Sequence, residues 1–196
     1  MHKTILAAVL LILSAQVSAE TLNVDTKASS VAWTGTKKIG SAHNGTVALK
    51  EGKIDVNAKG EITGGMLVVD MTTIANVDLK DDPENQTKLI THLSSADFFD
   101  VKNHPTATFK LKSVTKKDGD NYEVKGNFTM IGKTKPISFP AKLKASKEAV
   151  DGEATVEIDR TLWGLKYNSG DFFKDLAADR IINNKFKLAI KVAAKK

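Results

Sequence analysis

The chain contains no cysteine. No disulfide can restrict its unfolded state, so its stability has to come from burial and backbone hydrogen bonding. Long apolar runs are also scarce. The one that stands out, Ile5 to Leu13, follows Lys3 and precedes the small residues Val17, Ser18 and Ala19. That order reads as a secretory leader, residues 1–19, cleaved after Ala19. No later run approaches the roughly 20 apolar residues that a bilayer span needs. Residues 20–196 are therefore expected to fold as one soluble domain, large enough to bury one core or to close one barrel around a ligand.

The signatures of common chemistry are missing too. Gly132, Lys133 and Thr134 imitate the end of a phosphate loop, but residue 127 is asparagine where the leading glycine belongs, and the run lies between strands as a hairpin turn. There is no G-x-S-x-G elbow. His43, His92 and His104 have no paired short spacing, so a zinc site would have to borrow distant carboxylates. Asp97 and Asp100, close to Ser94 and Ser95, read as turn caps. No enzyme, metal site or required cofactor is expected. The net charge of +6 is spread over many segments without interleaved aromatics, which argues against nucleic acid. It leaves a solvated surface or attraction to an acidic partner or membrane surface.

Alternation is what the sequence has in quantity. Ala107, Phe109 and Leu111 face one way and Thr108, Lys110 and Lys112 the other. The same period carries Tyr122, Val124, Gly126, Phe128 and Met130, then Ile137, Phe139, Ala141 and Leu143, then Ala154, Val156 and Ile158, and last Phe186, Leu188, Ile190 and Val192. Earlier, Val31 and Trp33 share a face, Gly35 marks a bend or close approach, and Asn44-Gly45 reads as a turn before Val47 and Leu49. Glu51 and Gly52 punctuate that run, and the dense block from Ile62 to Met71 suggests contacts on both faces. Pro136 and Pro140 cannot donate to a ladder, so their strand should border a gap, a bulge or an edge. Counting these runs gives an all-β fold of about eight antiparallel strands. Eight is the number at which a closed barrel holds one small ligand or fills itself with side chains.

Two segments break the pattern. Asp82 before Pro83 is a helix start, and Leu89 and Leu93, four apart, share a face of a short capping helix. Tyr167 to Ala178 is amphipathic but irregular, with Phe172, Phe173 and Leu176 at roughly helical spacing. Between them, Leu89 to Leu111 joins the helix end to the next strand through Phe98 and Phe99.

The ordered series SSVAWTGT, GGMLVVDMTTI, LSSADFFDVKNHPTATF and NFTMIGKTKPISFP, behind a leader, resembles the YceI-like family across nearly the whole mature chain. The resemblance implies a lipocalin-like antiparallel barrel, exported in bacteria to the periplasm or beyond, that binds a polyisoprenoid or quinone-like lipid non-covalently. Where family members often carry an arginine, three residues before the histidine of the HL pair, this chain has Leu89, with Lys88 one residue earlier. The inward positions and the resemblance together nominate Trp33, Met66, Val68, His92, Phe98, Phe99, Phe109, Phe128, Met130, Phe139, Trp163 and Phe186 as ligand-binding residues. The two tryptophans either close the barrel ends or simply pack in the core. The competing expectation is an interaction protein whose barrel is side-chain filled and whose lysines dock an acidic partner or a membrane. A homodimer seam at the Pro136 and Pro140 strand is left open.

Overall fold

Strands with one hydrocarbon face and unpaired edges hide both by curling into a closed sheet. The computed structural model describes residues 19–196, so the expected leader lies outside the described residues except for Ala19. The strands are β1 (Glu20–Val24), β2 (Ser30–Thr36), β3 (Ala42–Val56), β4 (Ile62–Asn76), β5 (Thr106–Lys116), β6 (Asn121–Met130), β7 (Lys133–Ala145), β8 (Ala149–Asp159) and β9 (Lys185–Lys195). All pairings are antiparallel, in the order β1-β3-β2-β9-β8-β7-β6-β5-β4, and a further β3–β4 pairing closes the ring. β1 and β2 both pair with β3 and with β9, at different levels, so they form one stave in two pieces. The result is an eight-stave barrel, as the count of alternating runs predicts.

The first strands depart from the sequence reading in detail. Asn44-Gly45 is no turn; the β2–β3 turn lies upstream, where the Lys37 N–H donates to the Ser41 carbonyl over 3.0 Å. Gly45 sits inside β3 because a Cβ there would come within 1.8 Å of the Ala75 oxygen and 2.6 Å of the Trp33 ring. Gly35, expected to mark a bend or close approach, runs straight through β2 with nothing within 4 Å of its would-be Cβ. Glu51 and Gly52 do not end a strand; they carry a bulge that bends β3 between Leu49 and Glu51.

The helix α1 (Pro83–Ser94) forms as its sequence dictates. The Asp82 side chain accepts the Asn85 N–H at 3.2 Å, and Pro83 takes the first turn, where no N–H is needed. Leu93 is buried and Leu89 half-buried against the core, which lays α1 over one end of the barrel. A polar knot ties that end together. Asp78 accepts from the Asn44 N–H at 2.8 Å and the Asn76 amide at 2.6 Å and lies 2.7 Å from His43 Nδ1, while Gln86 of α1 donates to the Asn76 carbonyl at 2.8 Å.

Pro136 and Pro140 mark a gap in the wall. β7 pairs with β6 from Lys133 to Lys142, but with β8 only from Ala141 to Ala145. Both prolines lie in the stretch that has no β8 partner, where a missing N–H costs nothing. A short 3-10 helix, Arg160–Trp163, follows β8 directly. At its end Gly164 lies beside Lys133, at the start of β7. Tyr167 to Ala178 is a chain of turns without helix, and Phe172 and Phe173 stay about half exposed at 47% and 49%.

Two stability predictions follow from these contacts. Gly45→Val forces a side chain into backbone and should cost at least about 1–3 kcal/mol in urea denaturation, whereas Gly35→Ala, facing open space, should cost less. For Asp78, burial raises the carboxyl pKa, but the Asn44 N–H, His43 and Asn76 outweigh it and hold it below the ordinary value. Its stabilisation is thus complete above the unfolded value of about 3.9 and is lost as pH falls through the depressed folded value. Asp78→Asn should flatten the acid limb of the stability curve over that window.

Candidate functional site

Inward faces of the staves do not meet at the barrel axis. They leave a cavity of about 240 Å³ lined almost wholly by hydrocarbon. Phe109, Ile137, Phe139, Phe186, Leu188 and Ile190 face this interior yet are only half-buried, because the surface they keep belongs to the cavity. The volume exceeds the roughly 150 Å³ of apolar cavities that stay dry and admit a benzene. It falls just short of the roughly 300 Å³ at which ordinary ligand pockets begin. A long tail therefore needs side chains to move. Met66, Met71 and Met130 in the lining are the adaptable ones.

Packing inside is aromatic and specific. The Phe109 and Phe139 rings lie 5.6 Å apart, and Phe109 occupies the space opened by Gly126, where a Cβ would stand 2.3 Å from its ring. Trp33 lines the cavity and donates its indole N–H to the Ala75 carbonyl at 3.2 Å. At the end under α1 the lining is Leu93, Phe98, Met130, Ile158 and Arg160, each no more than 9% exposed. At the opposite end stand Ile54, Met66, Leu111 and Leu143, with Met66 at 42% exposed.

Nine of the nominated residues line this cavity: Trp33, Met66, Phe98, Phe99, Phe109, Phe128, Met130, Phe139 and Phe186. Three do not. Val68 is buried on the other face of β4, and Leu67 and Val69 line the cavity in its place, opposite Phe109 and Ala107 of β5. His92 is wedged edge-on between Tyr167 at 4.4 Å and Phe98 at 5.8 Å, so its ring pins a loop to α1. Trp163 is 1% exposed outside the lining, its ring against Phe128 and its N–H on the Phe128 carbonyl at 3.2 Å. It is a core residue. Lys88 is no substitute for a cation at Leu89, since its ammonium turns outward to Glu84 at 2.6 Å.

Among the lining residues that escaped nomination is one buried cation. Arg160 is 2% exposed, its guanidinium over the Phe98 ring at 5.6 Å. The available signal was chemical choice: of 29 basic residues only Arg160 and Arg180 are arginine, and arginine is the cation suited to a buried fork of hydrogen bonds. Among the described residues no cluster of three or more His, Cys, Asp or Glu is placed to hold a metal. No helix there is long and apolar enough to cross a membrane.

Comparison with known proteins finds a match to the YceI-like domain over residues 22–194. A UPF0312 protein of Pectobacterium atrosepticum is 54% identical over 52 residues, 26% of this chain and 27% of the relative. Protein YceI of Escherichia coli is 48% identical over 59 residues, 30% of each. The matched part thus spans well under half the length of these curated relatives. Among solved structures, Burkholderia cenocepacia BcnA superposes with a TM-score of 0.66 at 19% identity, over 88% of this chain and 99% of that one. A polyisoprenoid binding domain from Saccharophagus degradans superposes at 0.61 with 13% identity, over 92% and 99%. At such identities these two establish the barrel fold.

The phase of β4 is directly testable with an apolar fluorescent probe. Leu67→Trp should fill the cavity and weaken probe binding by about tenfold or more, while Val68→Ala should change it by less than about threefold. Equal effects at the two positions would put both side chains on one face.

Proposed function

The chain belongs to the YceI-like family over residues 22–194, and from that premise we propose that it is an exported binding protein that carries or sequesters a long amphiphilic lipid, of polyisoprenoid or isoprenoid-quinone type, inside its barrel. The observation that carries this reading is the continuous apolar cavity running from Phe98 and Leu93 to Met66 and Leu111. Such a cavity offers a hydrocarbon chain about 0.8 kcal/mol per buried methylene. An isoprene unit gains a few kcal/mol before ordering costs, so affinity grows with chain length. The Saccharophagus degradans neighbour, described as a polyisoprenoid binding domain, lends support through shared architecture.

Binding needs no reaction, and the lining presents hydrocarbon rather than paired acids, bases or nucleophiles. Loading and unloading would involve a transient membrane contact. Phe172 and Phe173, half exposed on the loop after Trp163 with Lys166 stacked on the Phe172 ring at 4.5 Å, are the residues we assign to it. One barrel suffices for the cavity, so a second copy is not required.

Native mass spectrometry of protein isolated from the producing cell should show a bound lipid. Added long-chain isoprenoid at a hundred times its Kd should stabilise the fold by about 2.7 kcal/mol. A chain that is always empty and gains no stability would overturn the carrier reading and favour the interaction protein docking through its lysines.

A further inference from the structure

Arg160, the first residue of the 3-10 helix that follows β8, lines the inner end of the cavity with Phe98, Ile182 and Asn183. Taking a guanidinium out of water costs several kcal/mol unless its charge is balanced. Its Nε donates to the Asn183 carbonyl at 3.1 Å, one terminal nitrogen to the Leu165 carbonyl at 2.7 Å and the other to the Ile182 carbonyl at 3.0 Å. All three acceptors are neutral. Among the described residues Arg160 makes no ion pair. The charge that bears on it is that of Asp159, whose Oδ1 is already engaged by the Thr161 N–H at 2.9 Å and hydroxyl at 2.6 Å.

A guanidinium has five N–H donors and stays charged in a protein. Three carbonyl bonds therefore leave one hydrogen free on each terminal nitrogen. The inner end of a hydrocarbon cavity thus holds a positive charge with no directly paired anion, Asp159 acting on it only at a distance, in surroundings where electrostatic attraction is strong. Lys53 and Glu153, the other charged residues of the lining, belong to the half of the barrel remote from α1.

We propose that Arg160 is the head-group subsite: the ligand lies with an anionic oxygen terminus, carboxylate or phosphate, at the guanidinium and its chain running toward Met66 and Leu111. The assignment rests on the lipid-carrier reading and adds to it the polarity of the ligand and its direction in the barrel. It also accounts for arginine at this position, since a lysine would make no planar fork to hold the 165 and 182–183 backbone and an anion together.

The test uses three probes with one tail: geranylgeranoic acid, its methyl ester and geranylgeranyl phosphate, titrated calorimetrically against the full mature chain. A charged hydrogen bond in a buried site is worth about tenfold or more in affinity. The acid, the phosphate or both should exceed the ester by that factor, and which does so identifies the head group. In Arg160→Met the preference of the acid or the phosphate over the ester should vanish. Arg160→Lys and the Arg160 side-chain Nε–H resonance of the unmutated protein serve if the methionine variant does not fold. That resonance should move with the preferred anion and not with the ester. Equal binding of all three probes, a preference that survives Arg160→Met, or an unmoved resonance would overturn the subsite and leave the carrier intact. Failure of all three to bind would overturn both.

Discussion

Eight staves enclose more space than their inward side chains occupy, and the rest of the molecule is arranged around that surplus. Except along the seam where β7 and β8 part, the closed ladder satisfies the stave backbones without water, so the interior can be mostly hydrocarbon. The cost falls at the ends and at the seam. α1, Phe98 and Phe99 cover one end, and the 3-10 helix lies where β7 and β8 part. Buried polar side chains of the wall and of the 3-10 helix are held on backbone carbonyls: the indole of Trp33 on Ala75, the indole of Trp163 on Phe128, the guanidinium of Arg160 on three carbonyls.

This explains why aromatic and methionine residues sit where they do. Phe109 fills the notch left by Gly126, and Phe139 rests on Phe109. Such contacts stabilise the wall and leave the axis open. The lining can therefore serve as core and as binding surface at once, with methionines at several levels to adapt to a tail. Polar groups are nearly absent from it, so discrimination among ligands falls to shape and to the few charges at the margins.

Much of this was legible from alternation. β5 to β9 carry clean period-two runs, and Phe109, Phe128, Phe139 and Phe186 all face inward as their spacing predicts. β4 was not legible in phase. Five apolar residues crowd into Met66 to Met71 around a single Asp70, and bulges in its partner β3 shift the register, so Val68 and Leu67 could not be told apart by pattern. Gly45 illustrates a different limit: a glycine after asparagine is the mark of a turn, but here it makes room for Trp33 and the Ala75 carbonyl, which only tertiary structure brings together. His92 and Trp163 fall to loop packing, and Arg160 is held by backbone carbonyls that no residue type announces.

The central claim, that the barrel interior is a lipid site, is tested most directly by a crystal structure of the mature chain purified from its own host without delipidation. The account predicts elongated density along the axis, in contact with Phe109, Phe139 and Leu188, and a lining spread to admit it. Ordered water in the interior, or side chains collapsed across the axis with no added density in protein saturated with isoprenoid, would contradict it.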